Sequence, residues 1–220
     1  MKKNIRILFI GNSLTYYNYL PEKVHDFFEA IDVNADCVML TVSGKCMDYH
    51  CKQSYTSYNI LHGHYDYVVL QGIAMGFNPE TFVSCGKQIY DNYISKTDSK
   101  TVLYMAYARK DERYKQPEMT AAYLELAKQT GAIVAPCGEV FGKVLRLRPA
   151  PEIYCEDKNH PNPAGTYLCA ATIFYSIMGR DRMLRLPEKD GVYTKCGLDR
   201  KTAMAINRIA CEKAREYAAK

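Results

Sequence analysis

The sequence predicts a single α/β domain, a three-layer α/β/α sandwich around a five-stranded parallel sheet. Three observations lead there. Five short apolar runs alternate with longer segments whose apolar residues recur at helical spacing. The runs are continuously apolar, and strands of that kind separated by helices require a parallel sheet covered on both faces. Finally, 220 residues suffice for one full-sized core, and no linker, repeat or low-complexity segment divides the chain, so residues 1–220 read as one domain.

Each element has its own signal. "IRILFIG" (5–11) is the first strand, followed by a helix over 21–31, where Val24, Phe27, Phe28 and Ile31 share one face. "ADCVMLTV" (35–42) is the second strand, and a weaker helical stretch covers 46–63. "YDYVVLQG" (65–72) is the third strand, after which Pro79 is well suited to a first helical turn. "TVLYMAYA" (101–108) is the fourth strand, and the helix over 117–130 ends at Gly131, as a helix with a glycine cap does. "AIVAP" (132–136) is the fifth strand, and helices over 162–178 and 199–218 complete the pattern.

Composition narrows the function. With 48% hydrophobic and 24% charged residues the chain is of ordinary globular type. Its apolar runs are far below the ~20 residues of a membrane-spanning helix, so no membrane role is expected. The net charge of +5 is spread along the chain, and clusters such as "RKDERYK" mix both signs, so no nucleic-acid partner is expected either. The start, "MKKNIRILFIGNS", has an apolar run shorter than a ~7–15-residue signal core and no cleavage site after it. It reads as a core strand, with a cytoplasmic location. Nine scattered cysteines, an odd number, fit reduced thiols, most of them small core residues.

In a parallel sheet, ligands bind beyond the carboxyl ends of the strands. The first strand delivers its chain there to Gly11-Asn12-Ser13, followed by Tyr16, Tyr17 and Tyr19. The small triplet lets a ligand approach the backbone and brings the Ser13 hydroxyl to it. Neither phosphate-loop pattern is present, which leaves Ser13 as a nucleophile or as a turn residue. "YCEDKNHPNPAG" (154–165) favours the nucleophile: Asp157 and His160, three apart in a loop with Pro161 and Pro163, can share one side of a turn, the carboxylate holding one imidazole nitrogen. His25 reads as surface or structural. His50, His62 and His64, with Cys46 and Cys51, have neither the spacing nor the position of a metal site.

"IGNSLT", "TVSGKC" and "EDKNHPN", in that order, resemble the serine, glycine and histidine blocks of the SGNH (GDSL-type) hydrolases, with Asn12 where many members carry Asp. The resemblance runs from Ile5 to about Met178. It implies a flavodoxin-like fold with strand order 2-1-3-4-5, and a triad of Ser13, Asp157 and His160. It further implies an oxyanion hole from the backbone of Ser13 and Gly44, and Asn12, Tyr16 and Tyr17 beside the substrate. No metal or organic cofactor is implied. The usual G-x-N-D block is absent. "VVLQGIAMGFN" stands there and resembles a glutamine variant of some carbohydrate-acetylesterase relatives, so either Gln71 or Asn78 could supply an amide donor. Gln71 could equally be a strand-end residue bonded to a neighbouring loop.

The activity this implies is hydrolysis of a small-molecule ester with a short acyl group. Nineteen tyrosines and no tryptophan, with Tyr49, Tyr55 and Tyr58 near the rim as well, suit either sugar stacking or helix–sheet packing. An acyltransferase with the same triad, or a flavodoxin-like binding module, are the alternatives.

Overall fold

The computed structural model describes residues 3–179 and 192–218. Strand β1 (Lys3–Gly11) leads to a single-turn helix α1 (Ser13–Tyr16), then α2 (Leu20–Glu29) and β2 (Val33–Thr41). Next come α3 (Met47–His50), α4 (Ser54–His62), β3 (Tyr67–Gln71), α5 (Pro79–Asn92) and β4 (Lys100–Tyr104). The chain continues through α6 (Gln116–Thr130), β5 (Ile133–Ala135), α7 (Cys137–Val144), α8 (Pro163–Met178) and α9 (Arg200–Tyr217).

The strands form one parallel sheet in the order β2-β1-β3-β4-β5, as the sequence predicts. β1 lies inside the sheet between β2 and β3, and Ile7 to Ile10 are wholly buried, which is why that run is apolar without alternation. Helix α8 packs against both α2 and α9, and α5 packs against α3 and α6. Helix α8 is buried almost all round, so its sequence shows no polar face.

Beyond shifts of one or two residues at element ends, three features differ from expectation. The weak helical stretch at 46–63 is two short helices broken at Cys51–Gln53. The fourth strand stops at Tyr104 because its neighbour β5 has only three residues and offers no ladder partner beyond Ala135. The backbone of 105–108 finds other partners: Met105 N–H bonds to Ala135 O, Ala106 N–H to the Tyr123 hydroxyl, and Ala108 N–H to Gln116 Oε1. Helix α7 was not expected, because eight residues with two glycines carry little periodic signal, although Val140, Phe141 and Val144 form its buried stripe.

Gly131 has a left-handed φ of +68° and caps α6 as read from the sequence. All nine cysteines are free thiols, four of them buried and five partly exposed, so fewer lie wholly in the core than composition suggested. No described helix is long and apolar enough to cross a membrane.

Candidate active site

The turn after β1 is built from small parts for a packing reason. A side chain at Gly11 would collide with Gln71 Oε1 and come within 2.6 Å of Thr15 Oγ1. The smallness of Gly11 therefore admits two protein side chains beneath the turn, which differs from the ligand approach expected from sequence. Asn12 is extended and caps α1, its Oδ1 accepting from Leu14 N–H at 3.1 Å. Ser13 is the first residue of α1, where a backbone N–H has no partner within the helix.

Asn12, expected at the rim, is buried in the turn. At 1% exposure it braces three loops, its Nδ2 donating to Lys45 O at 2.9 Å and to Gly72 O at 3.1 Å. Gln71 is also fully buried, and its Oε1 accepts from Asn12 N–H at 3.0 Å and from Thr15 Oγ1 at 2.8 Å. The Asn12 N–H fixes which end of the amide is oxygen, since an NH2 group there could not pair with it. Gln71 Oε1 thus supports the serine turn as a strand-end residue would, while the buried Nε2 of the same amide has no partner among the described residues and is left as a donor. His50 holds the same turn from another side, its buried Nε2–H donating to Gly11 O at 2.8 Å. Desolvation lowers its pKa against the opposing effect of that bond, so the ring is neutral.

The second half of the site is the loop before α8. Asp157 Oδ1 accepts from the backbone N–H groups of Asn159 and His160, both at 2.9 Å, closing the turn on itself. Lys158 takes a left-handed φ of +60° within it. Cys155 N–H donates to His160 O at 2.8 Å, and Tyr154 forms a β-bridge with Pro161, so both ends of the loop are tied. Pro163 then opens α8, with Asn162 as its cap.

The two halves meet. Asp157 Oδ2 lies 2.5 Å from His160 Nδ1, and His160 Nε2 lies 2.8 Å from Ser13 Oγ. With the ring proton on Nδ1 donating to the carboxylate, Nε2 is left to accept from the serine hydroxyl. Desolvation alone would raise the Asp157 pKa, but the His160 hydrogen bond and the two backbone N–H groups outweigh it and bring the carboxyl down to about 2. It is therefore ionised at neutral pH, as an orienting carboxylate must be.

The serine loop also grips the histidine loop directly. Tyr17 stacks on the His160 ring, centroids 4.1 Å apart and planes 11° from parallel. Asn18, in a left-handed conformation, donates through Nδ2 to Pro161 O and Thr166 Oγ1, both at 2.9 Å. Tyr16 is half-buried and leans on Tyr17 at 5.8 Å.

The other expected participants lie apart from this chain of contacts. Gly44 is exposed in a turn closed by Lys45 N–H to Val42 O, at φ +66°. A Cβ there would meet nothing within 4 Å, so the glycine is needed for its left-handed backbone. Asn78 is exposed and its Oδ1 caps α5 by accepting from Thr81 N–H at 2.8 Å. His62 and His64 are exposed just before β3, and His25 Nδ1 bonds to Ala35 O. Sequence reasoning missed Thr15, Asn18 and the structural parts of His50 and Tyr123. The Tyr123 hydroxyl accepts from Gly72 and Ala106 N–H, joining the ends of β3 and β4. No local pattern marks such residues, because each acts on a distant segment.

In comparisons with known proteins, no family model and no curated sequence matches the chain. Solved structures do match. A DUF4886 family protein from Bacteroides uniformis superposes with a TM-score of 0.73 at 17% identity, over 96% of this chain and 94% of that one. Axe2, an acetylxylan esterase from Geobacillus stearothermophilus, gives 0.62 at 16% identity, over 83% of this chain and 100% of its own. TesA gives 0.61 at 12% identity, over 75% and 93%. At these identities the likeness establishes architecture: the chain has the three-layer α/β fold of these proteins, which is the fold its SGNH-like blocks imply.

Proposed function

We propose that the protein is a serine ester hydrolase of the SGNH type, removing short acyl groups, acetyl above all, from a carbohydrate or similar polyol. The hydrogen-bonded series Asp157–His160–Ser13 carries this reading, because it joins a nucleophile, a base and an orienting acid at hydrogen-bonding distances. Ser13 Oγ attacks the ester carbonyl as Nε2 takes its proton, and the imidazolium, held by Asp157, returns that proton to the leaving alcohol. Water then repeats the cycle on the acyl-enzyme and regenerates Ser13. The unpaired N–H of Ser13 at the start of α1 and the N–H of Gly44 are the proposed oxyanion donors. One such donor is worth about 3–4 kcal/mol in the transition state.

The likeness of fold to Axe2 supports an acetylated carbohydrate as substrate. A panel of p-nitrophenyl esters and acetylated sugars, assayed with wild type and Ser13→Ala, tests the proposal. Acetyl esters are expected to be turned over faster than octanoyl esters of the same alcohol. A preference for octanoyl would reject the short-acyl assignment, and product analysis with added acceptor alcohols would detect acyl transfer.

Tyr17 gives a further test. If its ring holds the imidazole, Tyr17→Phe keeps activity and Tyr17→Ala lowers kcat by about 2–10-fold, the equivalent of one aromatic pair, with KM unchanged. A rise in KM in both variants would instead assign Tyr17 to substrate binding.

A further inference from the structure

A cavity of about 580 Å3 lies between α6 and α7, and neither Ser13, Asp157 nor His160 lines it. Its size is within the ~300–1,000 Å3 of small-molecule sites. The wall combines Leu124, Phe141 and Leu145 with the ring of Tyr154. Arg113, Lys143 and Arg146 are placed around it, and among the described residues none of the three has a carboxylate within ion-pair distance. The one acid in the lining, Glu139, is engaged by Lys213 Nζ at 2.7 Å and by the Tyr217 hydroxyl at 2.7 Å. Lys143 also lies in the field of the Glu216 carboxylate, but the cations still outnumber the acids around this apolar wall, a setting that favours an anion carrying an apolar body.

We infer that this cavity binds a small anionic amphiphile, an aryl or short alkyl carboxylate, sulfonate or phosphate, at a site separate from the catalytic serine. The apolar body rests on Leu124 and Leu145 while the anionic head is met by Arg113, Lys143 and Arg146. The structure also supplies a way to close the site without disturbing the fold. Gly142 lines the cavity within α7, and a Cβ there meets nothing within 4 Å, so Gly142→Leu extends into open space and improves helix propensity.

The test is calorimetric titration of the full chain with naphthalene-2-carboxylate and 2-naphthyl phosphate, beside neutral 2-naphthamide. Both anions are expected to saturate with a Kd of about 1 mM or below, and the amide to bind about tenfold more weakly or not at all. Gly142→Leu is expected to abolish binding. The triple variant Arg113→Gln, Lys143→Gln, Arg146→Gln is expected to erase the preference for anions. Binding should be unchanged in Ser13→Ala, and Gly142→Leu should melt no lower than wild type. Absence of saturable binding, binding that survives Gly142→Leu, equal affinity for the amide, or loss of binding in Ser13→Ala would each overturn the inference. The two anions separate a carboxylate from a phosphate ligand.

Discussion

Ser13→Ala is expected to lower ester turnover by about 10^4–10^6-fold, and His160→Ala by a similar factor, because a triad works as a unit and neither half activates water alone. That range corresponds to about 5–8 kcal/mol of transition-state stabilisation. Both variants should melt close to wild type, since Ser13 Oγ and the His160 ring make their polar contacts with each other and with Asp157. Asp157→Asn should fall between wild type and these. The carboxylate uses one oxygen for two backbone N–H groups and the other for the ring. An amide has one acceptor oxygen and must give up one task. Steady-state kinetics on an acetyl ester beside melting curves decides the matter, and near-wild-type turnover in Ser13→Ala or His160→Ala would remove the triad.

Gln71→Ala is expected to act first on stability. It strands the buried Asn12 N–H and the Thr15 hydroxyl, each at a cost of about 1–3 kcal/mol. Together these predict a fall in Tm of about 4–24 °C for a chain of this size. Activity should fall with it, because the turn that loses support carries Ser13. Gly11→Ala is expected to do the same from the other side, by pushing a methyl group into Gln71 and Thr15. The opposite pattern, normal melting with an isolated kcat defect in Gln71→Ala, would return Gln71 to the oxyanion hole. The same pattern in Asn78→Ala would place the donor there, although in the structure that side chain caps α5.

The strands, most of the helices and the carboxyl-end location of the site are all legible in the sequence. Apolar period and continuity follow directly from which faces of an element are buried, and that information is local. "EDKNHPN" is legible for the same reason: Asp157 and His160 lie within one turn, and the turn is closed by its own backbone bonds. The strand order came with the resemblance of three spaced blocks, and the sheet has that order.

What only the tertiary structure decided is the work done by side chains across long separations. Ser13 and His160 are 147 residues apart, Asn12 and Gln71 are 59 apart, and Asn18 reaches Thr166 across 148. Sequence marks a polar residue at a strand end without saying which of its atoms will be buried or what it will hold. Gln71 was open to two readings, amide donor or strand-end residue, and only the structure shows its Oε1 accepting beneath the serine turn with Nε2 unpaired, while Asn12 looked like a rim residue and is a brace. Tyr17 was expected beside the substrate, and the structure adds that its ring lies against the imidazole. In each case the sequence set the residue's chemistry, and the approach of a second distant segment, fixed by the packing of the sheet, decided which partner that chemistry met.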